Sequence, residues 1–594
     1  MYRRDYIIIW LVSIVVLMAV SVLLAHPGYM DAFYYYHVAE NVAQGRGLVE
    51  EFVWNYLPPP EAIIHSSNTY WMPLVSLLAA SFMAVFGLSF RVAQFSFILL
   101  SSLAPVMTAT LAWRLTSSRS YAIWSALFTL FGGFYLVHWI DIDSFGVFAI
   151  CGGIAVFITG EICALYKGRH SMTDNLLGGT LSPTVSEING AHAEEGTTSS
   201  HPLGTTSPGT RAGDPGGGAT GIITALPYTG VSEAGISHRR SLLLAALVGL
   251  LTALAHLSRA DGPLLLVAFG LALLLTAGWH NTIPVLSVAI GAYLLAMTPW
   301  LLRNILVVGT PLPPQGASVI FTREYNDLYS YGVNLSLGYL LDHGLWNILV
   351  DKASALWKNL VVFNGGALFL LPFTILGAWS FRKDVRLLPL FVYSALLYLT
   401  FSLIFTHPGV RGSMIHSAVV LLPWTSLFAV HGIYTAIAWM AARRRDWKLS
   451  QAQLSFTAIA LLFSALMALY IAFDESRDRD RIFQHYIELS RWIDANVEVE
   501  EPIMLTNPPA YAYISQRPSI ATPSNGVEAL LAAADRYDVS WLALEFDHAK
   551  PLDPLYYGQD AHPRLEVVGG VGSTRILGNT RIYRIRSEGS RQGN

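Results

Sequence analysis

Apolar residues in this chain come in long runs separated by shorter polar stretches. Residues 6–25 (YIIIWLVSIVVLMAVSVLLA) carry no charge; about 20 such positions is the length a helix needs to cross a bilayer core of roughly 30 Å. Similar runs recur at 92–112, 121–138, 145–166, 241–257, 263–278, 282–301, 361–381, 387–406, 413–440 and 453–473. The pattern predicts a mainly α fold, a polytopic transmembrane helix bundle of about eleven spans. A soluble protein would have to bury all of these runs in one core. The first run is longer than the apolar core of a signal peptide, ends LLAHPG and is followed by further spans, so it reads as a retained first helix.

The polar stretches organise the rest. Residues 26–91 form a long external segment: an amphipathic helix from Asp31 to Gln44, a turn at Gly45–Gly47, a Pro-rich stretch at Leu57–Pro60 and a second apolar stretch, Trp71–Leu88. That stretch reads as a helix lying at the membrane surface, because counting it as a span would move Arg114 and every later basic cluster to the other side. Residues 167–240 are rich in Gly, Ser, Thr and Pro without apolar periodicity. They cannot bury enough surface to offset ordering entropy and are expected to form a disordered cytoplasmic linker. A second external segment, 302–360, contains the turn Gly309-Thr310-Pro311-Leu312-Pro313-Pro314 and an amphipathic helix through Trp346, Ile348, Leu349, Ala353, Leu356 and Trp357. From about Asp474 the pattern changes to a small α/β domain. It has a helix through Phe483, Tyr486, Ile487 and Ile493, strands at Ile503–Leu505 and Ser540–Glu545, a turn at Asn507-Pro508-Pro509, a helix at Val527–Arg536, and strands at Leu565–Val568 and Thr580–Ile585. The expected division is 1–166, 167–240, 241–473 and 474–594.

Composition agrees: 53% of the 594 residues are hydrophobic and 13% charged, against about 25% charged in an average soluble domain. The net charge of −3 says little about partners, and no nucleic-acid partner is expected. The placement of Lys and Arg says more. Clusters at Arg3/Arg4, Arg114/Arg119, Lys167/Arg169, Arg239/Arg240, Arg382/Lys383/Arg386 and Arg443/Arg444/Arg445/Lys448 all fall on one side if the spans alternate. Cytoplasmic loops carry such an excess. The N-terminus is therefore expected in the cytoplasm and the C-terminal domain outside it, in a multi-pass protein of the plasma (inner) membrane. The two cysteines, Cys151 and Cys163, share the fourth run; twelve helical residues hold them about 18 Å apart, too far for a disulfide.

Ionisable groups in or beside spans are costly and mark candidate sites. The external ends hold Asp31, Glu40, Asp141, Asp143, Arg259, Asp261, Arg303 and Arg411. Asp31 opens the sequence Asp31-Ala32-Phe33-Tyr34-Tyr35-Tyr36. There it could act as a general base toward an incoming hydroxyl or cap a helix, with the tyrosines as an interfacial belt. Two carboxylates at i and i+2, Asp141 and Asp143, could share a hard divalent cation such as Mg²⁺ or Mn²⁺, or lie in a solvated loop with Asp143 capping the next helix. Arg259, Arg303 and Arg411 suit phosphate contact or local ion pairing and snorkelling. His407, His416 and the other histidines show no zinc-ligand spacing and read as ordinary polar residues. No phosphate loop of the G-x-x-x-x-G-K-[ST] type occurs, which argues against an ATP-driven pump. No matching pair of broken helices stands out, which weakens a secondary-transporter reading.

The layout resembles the C-superfamily membrane glycosyltransferases, which include protein O-mannosyltransferases, lipid A aminoarabinose transferases and oligosaccharyltransferases. The stretch Asp31-Ala32-Phe33-Tyr34-Tyr35-Tyr36, with Ala39-Glu40-Asn41 and Gly45-Arg46-Gly47-Leu48, looks like the first-loop motif of bacterial members. Pro299-Trp300, Arg303-Asn304 and Gly309-Thr310-Pro311 are similar to another family segment. The resemblance implies a polyprenyl-phosphate-linked sugar as donor and inverting transfer to a protein, lipid or glycan acceptor on the external face. It implies that Asp31 is the catalytic aspartate, that Asp141 and Asp143 form the second-loop acidic motif, and that Tyr34, Tyr35 and Glu40 line the substrate. The Trp-Trp-Asp motif of oligosaccharyltransferases is missing, since Ser540-Trp541-Leu542 does not match. That departure favours single-sugar transfer, often without a metal. Two rivals remain: a transporter or flippase of a lipid-linked substrate, and a non-enzymatic membrane scaffold with an external binding domain.

Overall fold

The computed structural model describes residues 1–178, 234–365, 367–444, 447–497, 501–574 and 578–586. Most of the expected linker, 179–233, lies outside them. Its ends are helical: Ser144–Gly178 and Ala234–Ser258 run into it from either side.

Among the described residues, eight helices are long and apolar enough to cross a membrane: Arg3–Ser21, Phe90–Thr116, Ser144–Gly168, His238–Ser258, Leu264–Val308, Val385–Ile404, Thr406–Ala441 and Leu449–Asn496. The difference from the expected eleven has local causes. Leu264–Val308 takes up two of the runs, and its backbone leaves the helical region at Gly278, where φ is 70°. The run at 121–138 yields Arg119–Leu130 and the short helix Tyr135–His138, parted at Gly132 and Gly133. The run at 361–381 yields the end of Leu345–Gly365 and the 11-residue Leu371–Phe381. Eleven helical residues reach only about 17 Å. The protein is a multi-pass membrane helix bundle. The stretch read as a surface helix is Leu74–Phe86, apolar but 13 residues long.

Several helices approach closely through glycine. A Cβ on Gly377 would overlap the carbonyl of Phe428, and one on Gly432 would overlap the carbonyl of Phe373. The helices Leu371–Phe381 and Leu422–Ala441 thus meet backbone to backbone, as small residues allow in membranes.

The helix Leu449–Asn496 has 48 residues and reaches about 72 Å. It passes through Asp474, the expected start of the α/β domain, without a break. Its last turns place Tyr486, Leu489 and Ile493 against Ile503, Leu505 and Trp541. Those residues belong to a six-stranded sheet. The strands are β1 (Val49–Glu50), β2 (Phe52–Val53), β3 (His65–Ser66), β4 (Ile503–Leu505), β5 (Ser519–Ala521), β6 (Trp541–Leu544), β7 (Leu565–Thr574) and β8 (Gly578–Ile585). β1 and β3 form a separate antiparallel pair. The sheet order is β2-β5-β4-β6-β8-β7, parallel from β2 to β6 and antiparallel beyond it. β2 comes from residues 26–91, so that segment is stitched to the C-terminal sheet. Tyr56 reinforces the seam by donating its hydroxyl to the Ala521 carbonyl. β5 and the helix Pro508–Ser515 replace what the sequence offered only as a Pro-Pro turn.

Candidate active site

Tyr29 caps the helix Met30–Ala43 with extended backbone, and Asp31 lies in its first turn, where free backbone N–H groups favour a carboxylate. The Asp141-Ile142-Asp143 turn leads into Ser144–Gly178, and Asp143 accepts the N–H and the hydroxyl of Ser144. His416, from the helix Met414–Ala418, brings Nε2 to 3.1 Å from Asp143 Oδ2, while its Nδ1 faces the Gly412 carbonyl at 3.0 Å. Asp31, Asp143 and His416 each place one potential ligand atom within 4.8 Å of the others. Tyr29 donates its hydroxyl to Asp143.

Asp141 plays a different part. Arg479 grips it with Nη1 at 2.6 Å from Oδ1 and Nη2 at 3.1 Å from Oδ2, and His138 Nδ1 lies 2.8 Å from Oδ2. The two acidic residues therefore do not face one cation together: Asp143 joins Asp31, and Asp141 is held in a buried ion pair.

The charges separate the carboxylates electrically. Burial, then the negative charge of Asp143, pushes the Asp31 carboxyl up to about 7 against the pull of His416 and Arg259. Burial would also raise Asp143, but the charge and hydrogen bond of His416, with Tyr29 and Ser144, bring it below the ordinary carboxylate range. Asp141 is lowered too: burial opposes, and Arg479 and His138 prevail.

The three arginines differ. Arg259 Nε contacts Asp261 at 3.0 Å and Ser417 at 3.1 Å, and its Nη2 donates to the Ser413 carbonyl at 3.1 Å. It is engaged, but close enough to Asp31 and Asp143 to act on both. Arg303 donates to the Ser67 carbonyl at 2.7 Å and lies over the Trp300 ring at 4.9 Å, near Tyr34 and Glu50. Arg411 is exposed and packs over Tyr325 at 5.3 Å, a tyrosine that feels Asp31. Among the described residues it has no ion-pair partner. It lies in a π-helical turn, Gly409–Ser413, where Gly412 has φ 144°; π-bulges recur at functional sites.

Tyr35 is buried beside the centre and feels Asp143, Asp31 and Arg259. Tyr34 points elsewhere: its hydroxyl accepts the Asn68 N–H at 2.7 Å, and its ring packs on Trp71 at 4.5 Å. Glu40 lies nine residues along the helix from Asp31, about 14 Å away by helical rise, and its neighbours are Arg46 and Glu51. The structure thus brings Asp31, Asp143, Tyr35 and Arg259 together, with Arg411 at the edge, and leaves Glu40, Tyr34 and Arg303 outside. Sequence reasoning missed His416, Tyr29, His138 and Arg479. The histidines were sought only at zinc-finger spacing, and Arg479 hides in an alternating run, Arg477-Asp478-Arg479-Asp480-Arg481, that looks like a solvated helix face.

No family model and no curated protein matches the sequence. Solved structures do. ArnT from Cupriavidus metallidurans bound to undecaprenyl phosphate superimposes with a TM-score of 0.52 at 12% identity, covering 98% of both chains. The archaeal oligosaccharyltransferase AglB from Archaeoglobus fulgidus, solved with an inhibitory peptide and a dolichol-phosphate, gives 0.48 at 13% identity over 91% of this chain and 69% of its own. The arabinofuranosyltransferase AftD from Mycobacteria gives 0.42 at 12% identity, over 99% and 40%. On the full-length superposition with ArnT, this chain has the fold of the C-superfamily membrane glycosyltransferases.

Proposed function

We propose that the protein transfers a single sugar from a polyprenyl-phosphate donor to a hydroxyl-bearing acceptor on the extracytoplasmic face of the plasma membrane, with inversion. The observation that carries this reading is Asp31, a half-buried carboxylate beside the Asp143–His416 pair and within the field of Arg259. A base whose proton affinity lies near neutrality suits general-base work. The undecaprenyl phosphate held by the Cupriavidus protein supports a lipid-linked donor here.

Asp31 takes the proton from the acceptor hydroxyl as that oxygen attacks the anomeric carbon. The glycosyl–phosphate bond breaks on the opposite face. Charge gathering on the leaving phosphate is offset by Arg411, the exposed cation with no ion pair among the described residues, and by the field of Arg259. Tyr35 is buried beside the base. The donor set Asp31, Asp143 and His416 fits a divalent cation, the imidazole favouring Mn²⁺ over Mg²⁺. When bound, such an ion would supply further positive charge beside the leaving phosphate.

The test is transfer from radiolabelled undecaprenyl-phosphate mannose and aminoarabinose by the purified protein, beside Asp31→Asn, with and without EDTA. Transfer that falls by about 10²–10⁴-fold in the Asn variant, with donor binding retained, supports the assignment. Asp31→Asn protein transferring at the wild-type rate removes Asp31 as the base. Movement of labelled lipid across vesicles without a new glycosidic bond selects a flippase instead. The EDTA arm decides the cation.

A further inference from the structure

We infer that Arg479 is a positioning residue for the Asp31–Asp143 centre, acting through Asp141 and Tyr29. The inference rests on the glycosyl-transfer reading and deepens it. Arg479 sits on the long helix Leu449–Asn496 and is 2% exposed. Its two-pronged contact with Asp141 is the fork geometry that fixes a carboxylate in orientation as well as place. Its Nε also contacts Glu475 at 3.1 Å.

Tyr29 connects this pair to the centre. The guanidinium carbon of Arg479 lies 4.8 Å from the Tyr29 ring centroid. The Tyr29 hydroxyl lies 3.4 Å from Asp141 Oδ2, yet its closer acceptor is Asp143. One hydroxyl has one proton to give. Because Arg479 and His138 already satisfy Asp141, the proton goes to Asp143. Without the arginine fork, Asp141 would compete for it, and Tyr29 would be drawn from the centre, two residues before Asp31.

The backbone agrees. A Cβ on Gly28 would overlap the side chain of Arg479, so the chain entering Asp31 lies directly on this arginine. One turn further along the same helix, the His26 ring stacks on Phe483 at 3.7 Å, with Nε2 2.8 Å from Asp480. The helix that enters the sheet core is thereby keyed to the segment carrying Asp31. A pair that served only to hold the fold would not require the shared hydroxyl or the Gly28 contact.

The experiment compares Tyr29→Phe, Arg479→Lys and the double variant in the full-length protein, with radiolabelled undecaprenyl-phosphate mannose and aminoarabinose as donors. Turnover, donor KM and thermal midpoint are measured together. Each single change is expected to lower kcat by about 10-fold or more, since small misplacements of reacting groups are costly, with donor KM within about twofold. The double variant is expected to lose little more than the stronger single, because both cut one chain of contacts. Wild-type kcat in both singles, with only the midpoint lowered, overturns the role and leaves a structural ion pair. Losses that multiply in the double variant overturn it as well. Absence of transfer by the wild type from every member of a panel of polyprenyl-phosphate hexoses and pentoses refutes the functional reading itself, and the role of Arg479 falls with it; the wild-type arm therefore separates the two failures.

Discussion

His416 Nε2 lies 3.1 Å from Asp143 Oδ2, across 273 residues of sequence. This contact sets the character of the carboxylate next to it. Asp143 repels charge on Asp31, and His416 attracts it. The two halves of the pair therefore push the Asp31 carboxyl in opposite directions.

The sign of each push is measurable. Burial and Asp143 push the Asp31 carboxyl up to about 7 with no cation bound, and the proposed base works as the carboxylate, so kcat/KM measured in EDTA should rise with pH through about 7 and level off above it. Asp143→Asn removes a negative neighbour and should move this limb to lower pH. His416→Gln removes a positive one and should move it to higher pH. Both variants will be slower than wild type, but the position of the limb can be read from the remaining activity. Limbs that move together, or stay fixed, would show that Asp31 does not govern the profile.

The arginines should divide by kinetic effect. Arg411 is exposed and packs over the Tyr325 ring, with no ion-pair partner among the described residues, and is the arginine proposed to take the donor phosphate. Arg411→Ala is expected to raise donor KM by about 10-fold, the loss of one charge-assisted contact of roughly 1.5 kcal/mol. Arg303 is tied to the Ser67 carbonyl and the Trp300 ring, and Arg303→Ala should leave donor KM within about twofold. Steady-state kinetics over a donor series decides between them, and an Arg303 effect on KM larger than that of Arg411 reverses the assignment.

Much of the helical framework was legible because bilayer burial writes itself as unbroken apolar runs. What the runs did not reveal were the interruptions within them. The break at Gly278 falls between the runs 263–278 and 282–301, but those at Gly132-Gly133 and between Gly365 and Leu371 fall inside the runs 121–138 and 361–381, where hydropathy averages over them. Asp31 and Asp143 were readable as candidates because charges beside spans are rare. Their partners were not. His416 approaches Asp143 from 273 residues away, and no local spacing encodes such a meeting. Glu40 shares a helix with Asp31 but lies about 14 Å further along it, a separation that counting helical rise makes legible. β2 pairs with β5 over more than 450 residues of separation, and a two-residue strand carries no periodicity to detect.

The reciprocal glycines give a prediction about stability that is independent of catalysis. Gly377 faces the Phe428 carbonyl, and Gly432 faces the Phe373 carbonyl, so each helix carries the gap that admits the other's backbone. A backbone carbonyl cannot rotate away as a side-chain tip can. An added methyl must therefore separate the helices Leu371–Phe381 and Leu422–Ala441, with loss of packing along their whole contact. Gly432→Ala should cost about 1–3 kcal/mol, the usual range for overpacking, and lower the thermal midpoint in detergent. Gly377→Ala should do the same. Once one methyl has forced the helices apart, the second meets less resistance, so the double variant should lose less than the sum of the singles. Gly291→Ala is the control: a Cβ there meets nothing within 4 Å, and a helix interior favours Ala over Gly by about 1 kcal/mol. Its midpoint should hold or rise. Equal losses at 291 and 432 would mean that the close approach contributes nothing particular to stability.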